Sequence, residues 1–251
     1  VGWNWKAGGT ASTNEDGSID SSVSANTDAG FSIVAWTGTG SNVTVGHGLS
    51  QAPELIINKS RTLSTSSSQW VVQSILWNSA SDTNILYLNG TAAAADDTNV
   101  FQAAPTDTVF SPQGGAWAGI GASGENYIAY CFHSVEGYSK IGTFVGNGNA
   151  DGPFVYTGFQ PRFIMLKGDI ATVHWHMFDS ARYTYNPSDN GVNGGQATNL
   201  ATMTSGQGAG PIDILSNGFK IRNVNGQDNN NTTTFVYIAF AERPFKTSNA
   251  R

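Results

Sequence analysis

The sequence predicts an all-β protein built of two tandem antiparallel β-sandwiches, jelly-roll or lectin-like in size. Short runs rich in Val, Ile, Phe, Tyr and Trp alternate with clusters of Gly, Asn, Asp and Ser, the pattern of strands and turns. Helical periodicity is confined to Ala92–Ala95, too brief to persist alone. The third observation is an internal echo: Tyr127-Ile128-Ala129-Tyr130-Cys131-Phe132 returns 110 positions later as Tyr237-Ile238-Ala239-Phe240-Ala241-Glu242. A period of that kind marks a repeated structural unit.

Composition narrows the classes. The 251 residues suffice for two units that each bury a core, and 11% aromatic content supplies material that a disordered chain lacks. Charged residues make up 12% and the net charge is −6, with no run of Lys or Arg to neutralise phosphates, so neither nucleic acid nor an anionic membrane surface is an expected partner. No apolar stretch approaches the ~18 residues that span a bilayer, and the N-terminus lacks the order of a signal peptide; a soluble chain is expected. Cys131 stands alone inside an apolar run, which excludes an intrachain disulfide and points to a buried structural thiol.

In chain order, residues 1–29 read as the closing strand of a preceding repeat, Val1-Gly2-Trp3-Asn4-Trp5, followed by a polar linker arm. Residues 30–135 form the first sandwich. It opens with Phe31–Trp36, stopped by Thr37-Gly38-Thr39-Gly40, and continues through Pro53 into Leu55–Lys59. Residues 136–251 form the second, where Ile141–Val145 precedes Gly146-Asn147-Gly148 and Pro161 precedes Phe163–Lys167. A proline at a strand entrance is tolerated because it removes no ladder hydrogen bond. Trp-bearing strands follow at Trp70–Gln73 and His174–Phe178, and Pro-x-Asp recurs at Pro105–Asp107 and Pro211–Asp213. The closing strands place apolar groups on both faces, so each is expected at the centre of a sheet. Ig-like, jelly-roll and lectin-type topologies all suit units of this length.

Candidate chemistry is sparse. Gly38 with Gly40 and Gly146 with Gly148 begin a dinucleotide fingerprint, but Val43 and Asp151 occupy its third glycine position, so these are tight turns. His174 and His176 at i and i+2 are weak candidate metal ligands, able to chelate if both lay on one strand face and Asp179 converged. His47, between two glycines, reads as a structural turn residue. Asp107 and Asp213 read as turn-capping carboxylates rather than a glycosidase pair, which needs two acids facing across a cleft. A binding reading places Tyr183 and Tyr185 of the long polar loop against sugar rings, with Asp189 bonding hydroxyls. No cofactor is expected.

The ordered set of Trp36–Gly40, His47–Pro53, Tyr127–Phe132 and Glu136–Lys140 resembles a β-rich repeat domain of uncharacterised function from large virion-associated proteins of marine bacteriophages. Asp151–Phe159, Phe178–Arg182 and Ser216–Lys220 resemble the same domain, and Trp3–Gly9 resembles its seam between units. The resemblance implies a non-enzymatic segment of an oligomeric tail fibre or surface appendage, at the virion surface or extracellular. Its implied partners are other virion proteins, copies of itself and a host surface glycan. Lectin-type binding and, further off, polysaccharide degradation are the alternatives.

Overall fold

The computed structural model describes residues 4–63, 68–76, 83–115, 119–181, 196–197 and 212–242. The protein is all-β, with neighbouring strands antiparallel throughout its sheets. It divides into two compact units. The N-terminal unit comprises Gly2–Leu88 and Ala95–His133; the C-terminal unit comprises Ser134–Arg251 and also takes Asn89–Ala94. That short segment belongs to the C-terminal unit because Ala94 N–H donates to Asp169 O at 2.8 Å and Thr91 O accepts from Thr172 N–H at 2.9 Å.

The N-terminal unit contains β1 (Ser12–Asn14), β2 (Ser21–Asn26), β3 (Phe31–Thr37), β4 (Val45–Gly46), β5 (Leu55–Ser60), β6 (Val71–Ser74), β7 (Asn84–Tyr87), β8 (Ala95–Asp96), β9 (Val109–Phe110) and β10 (Asn126–Phe132). Eight of these form one sheet in the order β1-β2-β3-β10-β5-β6-β7-β8, while β4 pairs with β9. The core gathers Val34, Trp36, Ile56, Val71 and Ala129 of the large sheet with Val45 and Phe110 of the small one. Trp36 stacks on its cross-strand partner Tyr127 with ring centroids 4.4 Å apart and meets the edge of Phe110 at 6.3 Å. Burying rings of this size stabilises the fold by roughly 1.5–3 kcal/mol each.

The C-terminal unit contains β11 (Ser139–Val145), β12 (Phe154–Tyr156), β13 (Pro161–Gly168), β14 (His176–Asp179), β15 (Gln196–Ala197), β16 (Ile212–Leu215), β17 (Gly218–Ile221) and β18 (Thr234–Ala241), with the helical turn α1 (Gly226–Asn229) capped by the Asn225 side chain. Its sheets run β11-β18-β13-β14-β15 and β12-β17-β16. Phe144, Leu166 and Tyr237 of the first meet Val155, Phe219 and Ile221 of the second in the core. Both β10 and β18 are central, flanked on each side by a paired strand, as their two apolar faces predict.

Backbone bonds repeat between the units at a spacing of 108. Gly38 N–H donates to Glu125 O and Gly146 N–H to Thr233 O; Gly40 N–H donates to Gly121 O and Gly148 N–H to Asn229 O; His133 N–H donates to Gly30 O and Ala241 N–H to Tyr138 O. Strand registers agree: Tyr127 faces Trp36 and Ser60, while Phe235 faces Phe144 and Gly168. Tyr127 therefore corresponds to Phe235, two residues before the Tyr237 that the echo selects. A two-residue slip keeps every side chain on its own face, so the Tyr-Ile-Ala motif reads equally well in either place.

Other expectations change. The polar arm of residues 10–29 holds β1 and β2, because Ser, Thr and Asn pair as strands while their short side chains find local partners: the Ser21 hydroxyl donates to Gly46 O at 2.8 Å, and Val23 is buried in the core. Of the strand expected at Val1–Trp5, the described residues Asn4 and Trp5 lie outside any strand. Trp5 turns its edge to Phe132 of its own unit, centroids 6.4 Å apart, and Lys6 O accepts from Asn26 Nδ2 at 3.1 Å. The two Pro-x-Asp segments also differ. Asp107 lies in an exposed bend that Thr106 caps by accepting from Val109 N–H at 3.1 Å, whereas Asp213 lies within β16.

Candidate functional site

The binding residues expected in the long loop, Tyr183, Tyr185 and Asp189, lie outside the described residues. The candidate metal ligands differ in placement. β14 begins at His176, so His174 precedes the strand and the i, i+2 rule of a shared face does not govern the pair. His174 is half-buried, its N–H donating to Gln227 Oε1 at 3.0 Å. His176 is fully buried beside Phe178, ring centroids 6.5 Å apart. Among the described residues no three His, Cys, Asp or Glu side chains converge as a metal site.

His47 is buried and bonded at both ring nitrogens, Nε2 lying 3.1 Å from Thr106 O and Nδ1 accepting from Leu49 N–H at 3.1 Å. The backbone amide fixes Nδ1 as the acceptor, so Nε2 carries the proton toward the carbonyl. Burial pulls the imidazole pKa down, opposed by the Thr106 bond and the nearby Asp16 and Asp107 charges, and His133 lowers it slightly further. In the C-terminal unit Thr157 does the same work: its Oγ1 accepts from Phe159 N–H at 3.5 Å and donates to Phe159 O at 2.6 Å.

Two lysines mark the strands that follow the prolines. Lys167 is wholly buried, donates to Gly168 O at 3.1 Å, and has its pKa pushed down to about 8 by burial, with Asp169 acting in the opposite direction. Lys59 is half-buried and donates to Ser68 O at 2.6 Å and Ser68 Oγ at 2.7 Å. Cys131 is fully buried and its thiol pKa rises to about 12 because burial disfavours the thiolate, so it is no nucleophile at neutral pH.

An open cleft of about 360 Å³ in the N-terminal unit is lined mostly by polar groups, among them Thr13, Asp20, Ser22, Thr37, Arg61 and Asn126. Its rim is cross-linked: Thr37 Oγ1 donates to Asn126 Oδ1 at 3.0 Å, Thr62 Oγ1 accepts from Asn126 N–H at 3.0 Å, and the Thr62 hydroxyl donates to Glu125. Hydroxyls, an amide and one charge of each sign suit hydrogen bonding to a small polar ligand. Among the described residues of its lining Asp20 is the one carboxylate, where a glycosidase sets two acids across a cleft. Sequence reasoning passed over this cleft because Thr13, Asp20 and Ser22 fall in residues read as a linker.

The fold defines an all-β protein of several antiparallel sheets. More particularly, the chain belongs to the family of a domain of unknown function, DUF7483, whose model matches residues 1–244. No curated protein and no solved structure matches it.

Proposed function

We propose that the chain is a structural building block of a virion, a segment of a bacteriophage tail fibre or surface appendage that contributes to host attachment. It is made of two tandem β-sandwich repeats of the jelly-roll or lectin-like kind. One observation carries this reading: the framework recurs and the reactive chemistry does not. Backbone bonds recur at a spacing of 108 through Gly38 and Gly146, Gly40 and Gly148. The polar side chains differ at matched places. Leu166 faces His176 where Asn58 faces Val71, and Thr157 stands where His47 does. A shared scaffold with unshared polar groups is the mark of a spacer, in which repetition multiplies weak contacts through effective concentration. The partners of such a segment are other virion proteins and copies of itself, and its place is the virion surface.

Labelling intact particles with antibody raised against this chain tests the reading: signal on a fibre or appendage is the expected result, and signal absent from particles would end it. The polar cleft favours one alternative, a lectin-type module, since its hydroxyl and amide lining matches sugar hydroxyls. A glycan array read with the wild-type chain and with Asn126→Ala separates the two, because a passive spacer retains no glycan.

A further inference from the structure

In the N-terminal unit, residues 12–26 act as a strap joining the edges of both sheets. β2 pairs along β3, Ser22 facing Ala35. Further back, Thr44 N–H donates to Ser18 Oγ at 2.9 Å, Gly46 O accepts from the Ser21 hydroxyl, and Ile19 bridges Val45 in parallel. Gly46 lacks a side chain for a reason: a Cβ there would lie 1.6 Å from Asn14 Oδ1, so the strap occupies that space.

The C-terminal unit presents the same two edges, β11 and β12, as the outermost strands of their sheets among the described residues. In an antiparallel ladder alternate residues bond to opposite sides. Gly146 N–H and Thr157 N–H bond inward, to Thr233 O and Asn217 O, so Thr143, Val145, Phe154 and Tyr156 turn their backbone groups outward. Ile141, the next outward residue of β11, is satisfied by the Ser134 hydroxyl. Val145 is 56% exposed, Phe154 47% and Tyr156 65%, and they stand where the N-terminal unit has Thr37, Thr44 and Gly46. Large apolar side chains thus replace small or polar ones along the stretch that the strap covers in the other unit.

We infer that β11 and β12 form a docking site for an extended polypeptide strand from another protein. That strand is uncharged and carries apolar side chains at alternating positions. Its backbone pairs with Thr143, Val145, Phe154 and Tyr156, extending the sheet edges as the strap does in the N-terminal unit. Its lack of charge follows from the neighbouring ions, which close on one another: Lys220 with Asp151 at 2.7 Å and Arg222 with Asp213 at 3.3 Å. It also differs from this chain's own strap, because Tyr156 fills the space that Asn14 takes above Gly46. The inference stands whether or not the chain is a virion component.

The test uses the full chain and a synthetic peptide of residues 11–27 with capped ends, made uncharged by Glu15→Gln, Asp16→Asn and Asp20→Asn and carrying Asn14→Gly and Ser18→Val, which open room for Tyr156 and offer an apolar group to Phe154. At saturating peptide, hydrogen exchange at the amides of Thr143, Val145, Phe154 and Tyr156 is expected to slow at least tenfold. Tyr156→Asp or Val145→Lys, both on exposed positions, should weaken binding at least tenfold, and the unaltered peptide should bind at least tenfold more weakly. Four results would overturn the inference: unchanged exchange with peptide, protection already present in the chain alone, protection by dextran instead of peptide, or self-association of the chain that Val145→Lys abolishes.

Discussion

Thr232 occupies a backbone conformation that a β-branched residue disfavours, and replacing it should stabilise the C-terminal unit. Its φ is +65°, and the corresponding residue of the N-terminal unit, 108 positions earlier, is Gly124 at φ +76°. Both close the same turn: Gly124 N–H donates to Gly38 O at 2.8 Å and Thr232 N–H to Gly146 O at 3.0 Å. An L-residue in the left-handed region costs roughly 1–2 kcal/mol, while a glycine substitution adds unfolded-state entropy worth about 0.4–1 kcal/mol. Thr232 is exposed, so its loss removes little packing. Thr232→Gly should therefore gain on the order of 1 kcal/mol, which raises the melting temperature of a unit this size by roughly 3–5 °C. Gly124→Thr should lose about as much from the N-terminal unit by the same cost of the left-handed conformation, since a Cβ at Gly124 meets nothing within 4 Å and backbone strain acts alone. Urea midpoints with unchanged slopes, alongside calorimetry, measure both. A destabilised Thr232→Gly, or a neutral Gly124→Thr, would refute the reasoning.

Burial lowers the pKa of His47 in the folded state, so its contribution to stability is complete above the unfolded value near 6.5 and is lost as pH falls below it; the urea midpoint at pH 5.5 should lie under that at pH 7.5, and less so in His47→Gln. Lys167 behaves likewise at higher pH. With a folded pKa of about 8, stability should rise as pH climbs from 8 toward 10, and Lys167→Met should flatten that slope while gaining on the order of 1–3 kcal/mol at pH 7. Cys131 should resist a thiol reagent in the native chain at pH 8 and react in urea; fast native labelling would contradict its burial. Asp107→Ala and Asp213→Ala should alter no polysaccharide turnover, because Asp107 lies in an exposed bend and Asp213 lies within a strand with its carboxylate on Arg222 at 3.3 Å; loss of a hydrolytic activity in a folded variant would overturn that view.

What sequence reveals here follows the physics of burial. Strands with large apolar groups declare themselves: Tyr127–Phe132 and the run from Tyr237 to Glu242 read as central, and β10 and β18, which hold Tyr127–Phe132 and Tyr237–Ala241, are. Serine-rich strands do not, since Ser21–Asn26, second from the sheet's edge, joins through backbone bonds with one strongly apolar side chain, Val23, to mark it. Register escaped by two residues for a related reason, because period-2 alternation is blind to even slips. Pro-x-Asp misled differently. The motif describes local turn chemistry, and Thr106 or a neighbouring strand can take over the hydrogen bonds assigned to the aspartate. The cleft was illegible because its walls come from residues 13–22, 35–37, 61 and 126–127, far apart in the chain.

At the bend after β4 an imidazole accepts Leu49 N–H, and at its counterpart after β12 a hydroxyl accepts Phe159 N–H. A hydroxyl keeps its lone pairs at any biological pH, whereas a protonated imidazole has none to offer. The two units therefore differ in how they fail. Acid releases the Leu49 amide in one and leaves the Phe159 amide held in the other, so mild acidification should lower the melting temperature of the N-terminal unit more than that of the C-terminal unit.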